Sequence, residues 1–269
     1  MPDIMPNIKA KYTKINFITQ GQGAPVVLIH GVAASLHGWD YLVPDLVNKG
    51  FQACALDLLG HGESHKPTDP SAYRVENLYV HLTDWMDTLD FASPPVLVGH
   101  SLGGSLCLMY AMRRPENLCG LVLVNPVVGP RQTSALIRWL QRKPDVGARA
   151  LQKTPEWLIE AILGWEPEGT RFSLTERKRQ AADYKRAAPQ IVNILPTLQD
   201  LSPHLPAITT KTLVIWGKKD RALKPRQFRR LVQLMPNAIA NELDDCGHQP
   251  HIVRPKIFNR LVIDFLKTL

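Results

Sequence analysis

Seven short runs of β-branched and aliphatic residues recur along the chain. They fall at about 13–19 (TKINFIT), 25–30 (PVVLIH), 51–57 (FQACALD), 95–99 (PVLVG), 120–124 (GLVLV), 212–216 (TLVIW) and 238–243 (AIANEL). Several are apolar without alternation, the pattern of strands covered on both faces, which is how parallel sheets are built. Helical periodicity fills the spaces between them. Residues 75–90 place Leu78, Leu82, Trp85, Met86 and Leu89 on one stripe, and 102–114, 225–235 and 255–268 read the same way. Strands alternating with helices predict a mostly parallel, doubly wound α/β sheet. The turn signal QGQGAP before the second run predicts a hairpin-like entry.

From about 126 to 205 the rhythm stops. This stretch offers no strand pattern and carries Trp139, Trp157 and Trp165 among prolines. It reads as a helical cap inserted into a core made of residues 1–125 and 206–269. The 269 residues, 45% of them hydrophobic, are enough to bury such a core. No apolar run approaches the roughly 18 residues of a membrane span, and the N-terminal MPDIMPNIKAKYTK lacks the apolar core of a secretory leader. The four cysteines have no paired or metal-ligand spacing, so free thiols and a cytoplasmic protein are expected. The net charge of +8 comes from scattered residues, with clusters at 177–186 and 224–230 that read as solvated helix faces. Neither nucleic-acid binding nor stable membrane insertion is expected. No metal site and no cofactor is expected either, because no glycine-rich nucleotide loop is present.

Chemistry enters at LVGHSLGGSL, residues 97–106. Gly99, Ser101 and Gly103 form G-x-S-x-G between an expected strand and an expected helix. That turn presents a serine at a sharp corner above the sheet. The amide of Leu102 lies at the start of the helix, where free N–H groups favour an anion. A serine needs a base. His248, after the last strand and before the last helix, is the first choice, with His251 as the rival. Asp220, at the end of LVIWGKKD, is the expected acid, with Asp244 and Asp245 as rivals close to His248 in sequence. The order Ser101, Asp220, His248 is serine, acid, histidine. The strand exit IHGVAAS can bring the amide of Val32 to the same rim as a second oxyanion donor. His100 is expected to be structural, or to line the substrate pocket with His30, Gly31, Trp139, Trp157 and Trp165.

Together HGVAAS, DLLGHGES (57–64), VGHSLGG, WGKKDRALKP (216–225) and GHQPHIVRP (247–255) resemble the α/β-hydrolase superfamily over essentially the whole chain. The resemblance implies Ser101 as nucleophile, His248 as base, Asp220 as its partner, and Val32 and Leu102 as the oxyanion hole. It also implies that Asp57 and His61 brace a turn and are not catalytic. Dehalogenases and soluble epoxide hydrolases of this fold carry aspartate at the elbow, so Ser101 points away from both. C–C hydrolases of the fold usually carry asparagine before the serine, where this chain has His100. At Val253 many relatives carry an acidic residue. The expected activity is hydrolysis of a small carboxylic ester with an apolar portion, through an acyl-enzyme. The alternatives are the same triad acting on a lactone, thioester, amide or C–C bond or in perhydrolysis, and a receptor that keeps the triad with little turnover.

Overall fold

The computed structural model describes residues 14–134, 138, 139, 142–165 and 172–269, without the side chain of Trp165. The first expected strand starts at Thr13, outside the described residues, as does the part of the N-terminus read above as leader-free.

All seven expected strands form: β1 Phe17–Gln20, β2 Ala24–Ile29, β3 Phe51–Leu56, β4 Val96–His100, β5 Gly120–Val124, β6 Thr212–Gly217 and β7 Ala238–Leu243. They make one sheet in the order β1-β3-β2-β4-β5-β6-β7. β1 runs antiparallel on β3 and every other pairing is parallel. From β2 the chain steps one way to β3 and then crosses to β4 on the other side. The crevice outside the carboxyl ends of β2 and β4 is therefore the switch point where ligands bind in such sheets.

The apolar runs are explained by two packed faces. On β2, Val27 and Ile29 join the layer that contains α2 (Val75–Met86), α3 (Leu102–Arg113) and α7 (Pro225–Leu234). Val26 and Leu28 join the opposite layer with Trp39, α1 (Val43–Asn48) and α9 (Pro255–Leu266). Helix α2 ends at Met86, short of Asp90. There the Thr88 hydroxyl donates to the Trp85 carbonyl at 2.6 Å, and the chain tightens through Leu89 N–H to Met86 C=O. Two short helices have no clear sequence pattern: α1, six residues with a proline near its start, and α8, Pro250–Val253.

Between β5 and β6 lie α4 (Pro144–Lys153), α5 (Glu156–Trp165), α6 (Leu174–Arg186) and three 3-10 turns after α6. Ser173 caps α6 by accepting from the Glu176 amide at 3.1 Å, the serine–glutamate start signal of a helix. Helix α6 is tied to the rest by Ser35 Oγ donating to Asp183 at 2.9 Å and by the Ala188 amide donating to Gly60 C=O at 2.8 Å. The 177–186 cluster is thus not solvated all round: Gln180, Ala181 and Asp183 face inward. Among the described residues no helix is long and apolar enough to cross a membrane.

Candidate active site

Three non-glycine residues among those described have positive φ: Ala33 (55°), Ser101 (52°) and Asn125 (42°). They follow β2, β4 and β5, three neighbouring strands. Each such residue costs on the order of 1–3 kcal/mol and persists only where surrounding structure imposes it. Strain gathered at one rim makes that rim the candidate functional one.

Ser101 sits at φ 52°, ψ −110° between β4 and α3. The turn is locked on both sides: the Ser101 amide donates to Val124 C=O at 2.9 Å, and its carbonyl accepts from Val127 N–H at 3.0 Å. The turn has no room for flanking side chains. A Cβ on Gly99 would stand 2.4 Å from Gly103 O and 2.5 Å from Cys107 Sγ, and one on Gly103 would stand 2.2 Å from Ile29 O. The start of α3 is thereby pressed onto the end of β2. The IHGVAAS loop then passes beside the serine, because a Cβ on Gly31 would lie 3.1 Å from Ser101 Cβ. Among the described residues, neither the Val32 nor the Leu102 amide donates to a protein acceptor.

His248 lies in the loop after β7, and its Nδ1 bonds Asp220 Oδ2 at 2.8 Å. With a carboxylate as acceptor, Nδ1 carries the proton and Nε2 is left as the basic atom. Asp220 is buried, and four donors hold its carboxylate. Oδ1 accepts from the amides of Ala222 (2.8 Å) and Leu223 (2.9 Å), and Oδ2 from His248 and, at 2.6 Å, from Asn125 Nδ2. Burial alone would push its pKa up; His248, the Leu223 amide and Asn125 outweigh that and hold it below the usual carboxylate range. The rival acids face solvent, Asp244 paired with Lys218 at 2.9 Å and Asp245 with Lys219 at 3.0 Å. The rival base His251 is buried between the Trp39 and His100 rings, at 4.8 and 4.5 Å. Burial, with His248 and Arg179 nearby, pushes its pKa down to about 3.

Asn125 escaped the sequence reading. Its left-handed backbone turns the chain out of β5 and aims Nδ2 at Asp220, with a second contact to Gly247 C=O at 3.3 Å. An asparagine directly after a buried aliphatic strand was the available signal, since asparagine tolerates positive φ.

The other expected residues have clear places. His30 Nδ1 donates to Gly31 C=O at 2.7 Å, and Nε2 accepts the Leu58 amide at 3.0 Å, so both ring nitrogens are occupied in bracing loops. Asp57 gathers the amides of Leu36 (2.8 Å) and Glu63 (2.8 Å) and Asn16 Nδ2 (2.7 Å). His61 bonds the Leu59 carbonyl at 2.9 Å, and burial pushes its pKa down to about 3. His100 packs against His248 in a tilted ring contact, with ring centres 4.8 Å apart. Trp139 is 46% exposed with the Lys143 ammonium over its ring, and Trp157 is 67% exposed, so much of both indoles faces solvent. The Trp165 side chain lies outside the described residues. Among the described residues no group of three or more His, Cys, Asp and Glu side chains is arranged to hold a metal ion.

A mostly parallel sheet with a strained serine elbow after β4 and a histidine–aspartate pair after β7 and β6 defines a hydrolase class. The chain belongs to the alpha/beta hydrolase fold family, whose profile matches residues 24–255. It is 28% identical over 269 aligned residues to 2-hydroxy-6-oxononadienedioate/2-hydroxy-6-oxononatrienedioate hydrolase of Paraburkholderia xenovorans (strain LB400), covering 94% of this chain and 90% of that protein. It is 28% identical to the solved enol-lactonase from Burkholderia xenovorans LB400, with a TM-score of 0.78 over 94% of this chain and 96% of that one. To bifunctional epoxide hydrolase 2 of Sus scrofa it is 23% identical over 95% of its own length. It spans about half of that relative, 53%.

Proposed function

We propose that this enzyme cleaves small carboxylic esters through an acyl-enzyme, with Ser101 as nucleophile, His248 as general base and acid, and Asp220 as its partner. One observation carries the reading: a strained serine elbow shares its rim with a histidine whose Nδ1 is fixed on a buried carboxylate at 2.8 Å. His248 Nε2 takes the Ser101 proton as Oγ attacks the carbonyl carbon. The amides of Val32 and Leu102 receive the charge that develops on the carbonyl oxygen, each worth about 2.7–4 kcal/mol in the barrier. His248 then protonates the leaving alcohol. Water, activated by the same Nε2, releases the acid and restores the serine. Asp220 stays ionised throughout, because four donors favour its charged form.

In this reading residues 1–125 and 206–269 form the catalytic core, and 126–205 is a cap that shapes an alcohol or acyl pocket with an apolar portion. The similarity to an enol-lactonase fits, since a lactone is a cyclic ester. Free thiols at Cys54, Cys107, Cys119 and Cys246 fit a reducing compartment, and we place the protein in the cytoplasm. C–C hydrolysis is the second reading, supported by the 28% identical relative of that chemistry. It would use the same three side chains.

The test is purified Ser101→Ala on p-nitrophenyl butyrate, alongside lactone and vinylogous C–C substrates. The variant should stay folded and keep at most the roughly 10³–10⁴-fold advantage over water that binding and the oxyanion site supply. Full turnover by the variant would remove the serine mechanism. Wild-type turnover of the C–C substrate alone would move the reading to the second.

A further inference from the structure

The loop that carries the proposed base is held by neither strand nor helix at residue 248. β7 ends at Leu243 and α8 starts at Pro250. Its carbonyl is held instead by His100, the last residue of β4 and the one before Ser101. His100 Nε2 lies 2.8 Å from His248 O. The partner is a carbonyl, so Nε2 is the donor. The same ring lies against the His248 ring at 4.8 Å and 56°, and its other contact is the His251 ring at 4.5 Å. His251 in turn packs on Trp39 at 4.8 Å and Phe258 at 5.9 Å. A row of four mutually tilted rings therefore runs from Trp39 in the 3-10 turn Leu36–Trp39 to His248. Gly31 leaves space for it, because a Cβ there would lie 2.9 Å from His100 Nδ1.

We infer that His100 is a positioning residue for His248, holding its carbonyl through Nε2–H and backing its ring, so that the elbow presenting the nucleophile also fixes where the base stands. The inference rests on the triad proposed above. Two observations give it more than a packing role. The hydrogen bond is to the backbone of the base itself, and the link from base to nucleophile is one residue long. His100 and His251 are also both held neutral. Burial, then His251 and His248, push His100 well below its usual value, and His251 lies near 3. When His248 takes the serine proton, the two imidazoles packed nearest it in this row, His100 and His251, therefore carry no charge.

The test separates donor from ring in the full-length enzyme. His100→Phe keeps an aromatic face and loses the donor, whereas His100→Gln places an amide N–H near the position of Nε2. With p-nitrophenyl butyrate, His100→Phe should lose between about 10- and 100-fold in kcat, the scale of a misplaced catalytic group, with KM within about twofold. The low-field proton resonance of His248 Nδ1–H on Asp220 should broaden in His100→Phe, and His100→Gln should recover most of both signals. Wild-type kcat and an unbroadened resonance in His100→Phe would overturn the inference, as would equal losses in the Phe and Gln variants. If the wild type turns over no ester, the ester reading fails separately, and the resonance still decides whether His100 places His248.

Discussion

Asn125 makes the strongest prediction at the scale of single residues. Its amide donates to Asp220 at 2.6 Å, and a hydrogen bond to a charged group contributes about 1.5–3 kcal/mol. Asn125→Ala should therefore lower kcat/KM on p-nitrophenyl butyrate by about tenfold, equivalent to about 1.4 kcal/mol, while circular dichroism stays native. Asn125→Asp should be worse at pH 7. It sets a second carboxylate against Asp220 and pushes one of the pair up toward the neutral acid, which cannot stabilise the imidazolium. Wild-type kinetics in both variants would remove Asn125 from the site. Asp220 itself was legible as the last polar residue of a strand exit. Asn125 was not, because its role depends on a partner ninety-five residues away.

At the scale of elements, α3 crosses the end of β2 at very close range. Gly103 approaches Ile29 O so closely that a Cβ would stand at 2.2 Å. Gly103→Ala should push α3 outward, lower stability by about 1–3 kcal/mol, and move the Leu102 amide off the oxyanion position proposed for it. Thermal melting and kcat measured together check this: a variant that melts lower but keeps full kcat would show that α3 can shift without moving the Leu102 amide. Helix α6 illustrates the limit of pattern reading. Its sequence, LTERKRQAADYKR, is basic and polar, yet Gln180 and Asp183 are buried against Gln249 and Ser35. Charge pattern reports the solvated face and is silent about polar groups that find partners across the fold. The two helices it missed, α1 and α8, are too short for a 3.6-residue period to repeat.

For the molecule as a whole, buried histidines should set the acid limit. Burial pushes His61 and His251 down to about 3 and His81 down to about 4. Their unfolded value is 6.5, so between that pH and the folded values the unfolded chain binds more protons, and stability falls as pH falls. Each contributes a loss of up to about 1.4 kcal/mol per pH unit below 6.5. Three together consume a total stability of about 5–15 kcal/mol within a few units. Asp57 and Asp220 have lowered values, so their contributions are lost only at still lower pH. The melting temperature should drop steeply from pH 7 to pH 5. A flat profile across that window would show that these rings take up protons without unfolding.

By itself the sequence determined the seven strands, their alternation with helices and the serine elbow. Those signals are local: a strand buried on both faces must be apolar along its length, and a strained turn must be flanked by glycines. Tertiary structure alone decided that Asn125 reaches Asp220, that α6 turns polar side chains inward, and that His100 bonds the His248 carbonyl. Each of these is a contact between residues far apart in the chain. Its energy depends on distance and burial, and neither exists until the sheet has brought the ends of β2, β4, β5, β6 and β7 to one rim.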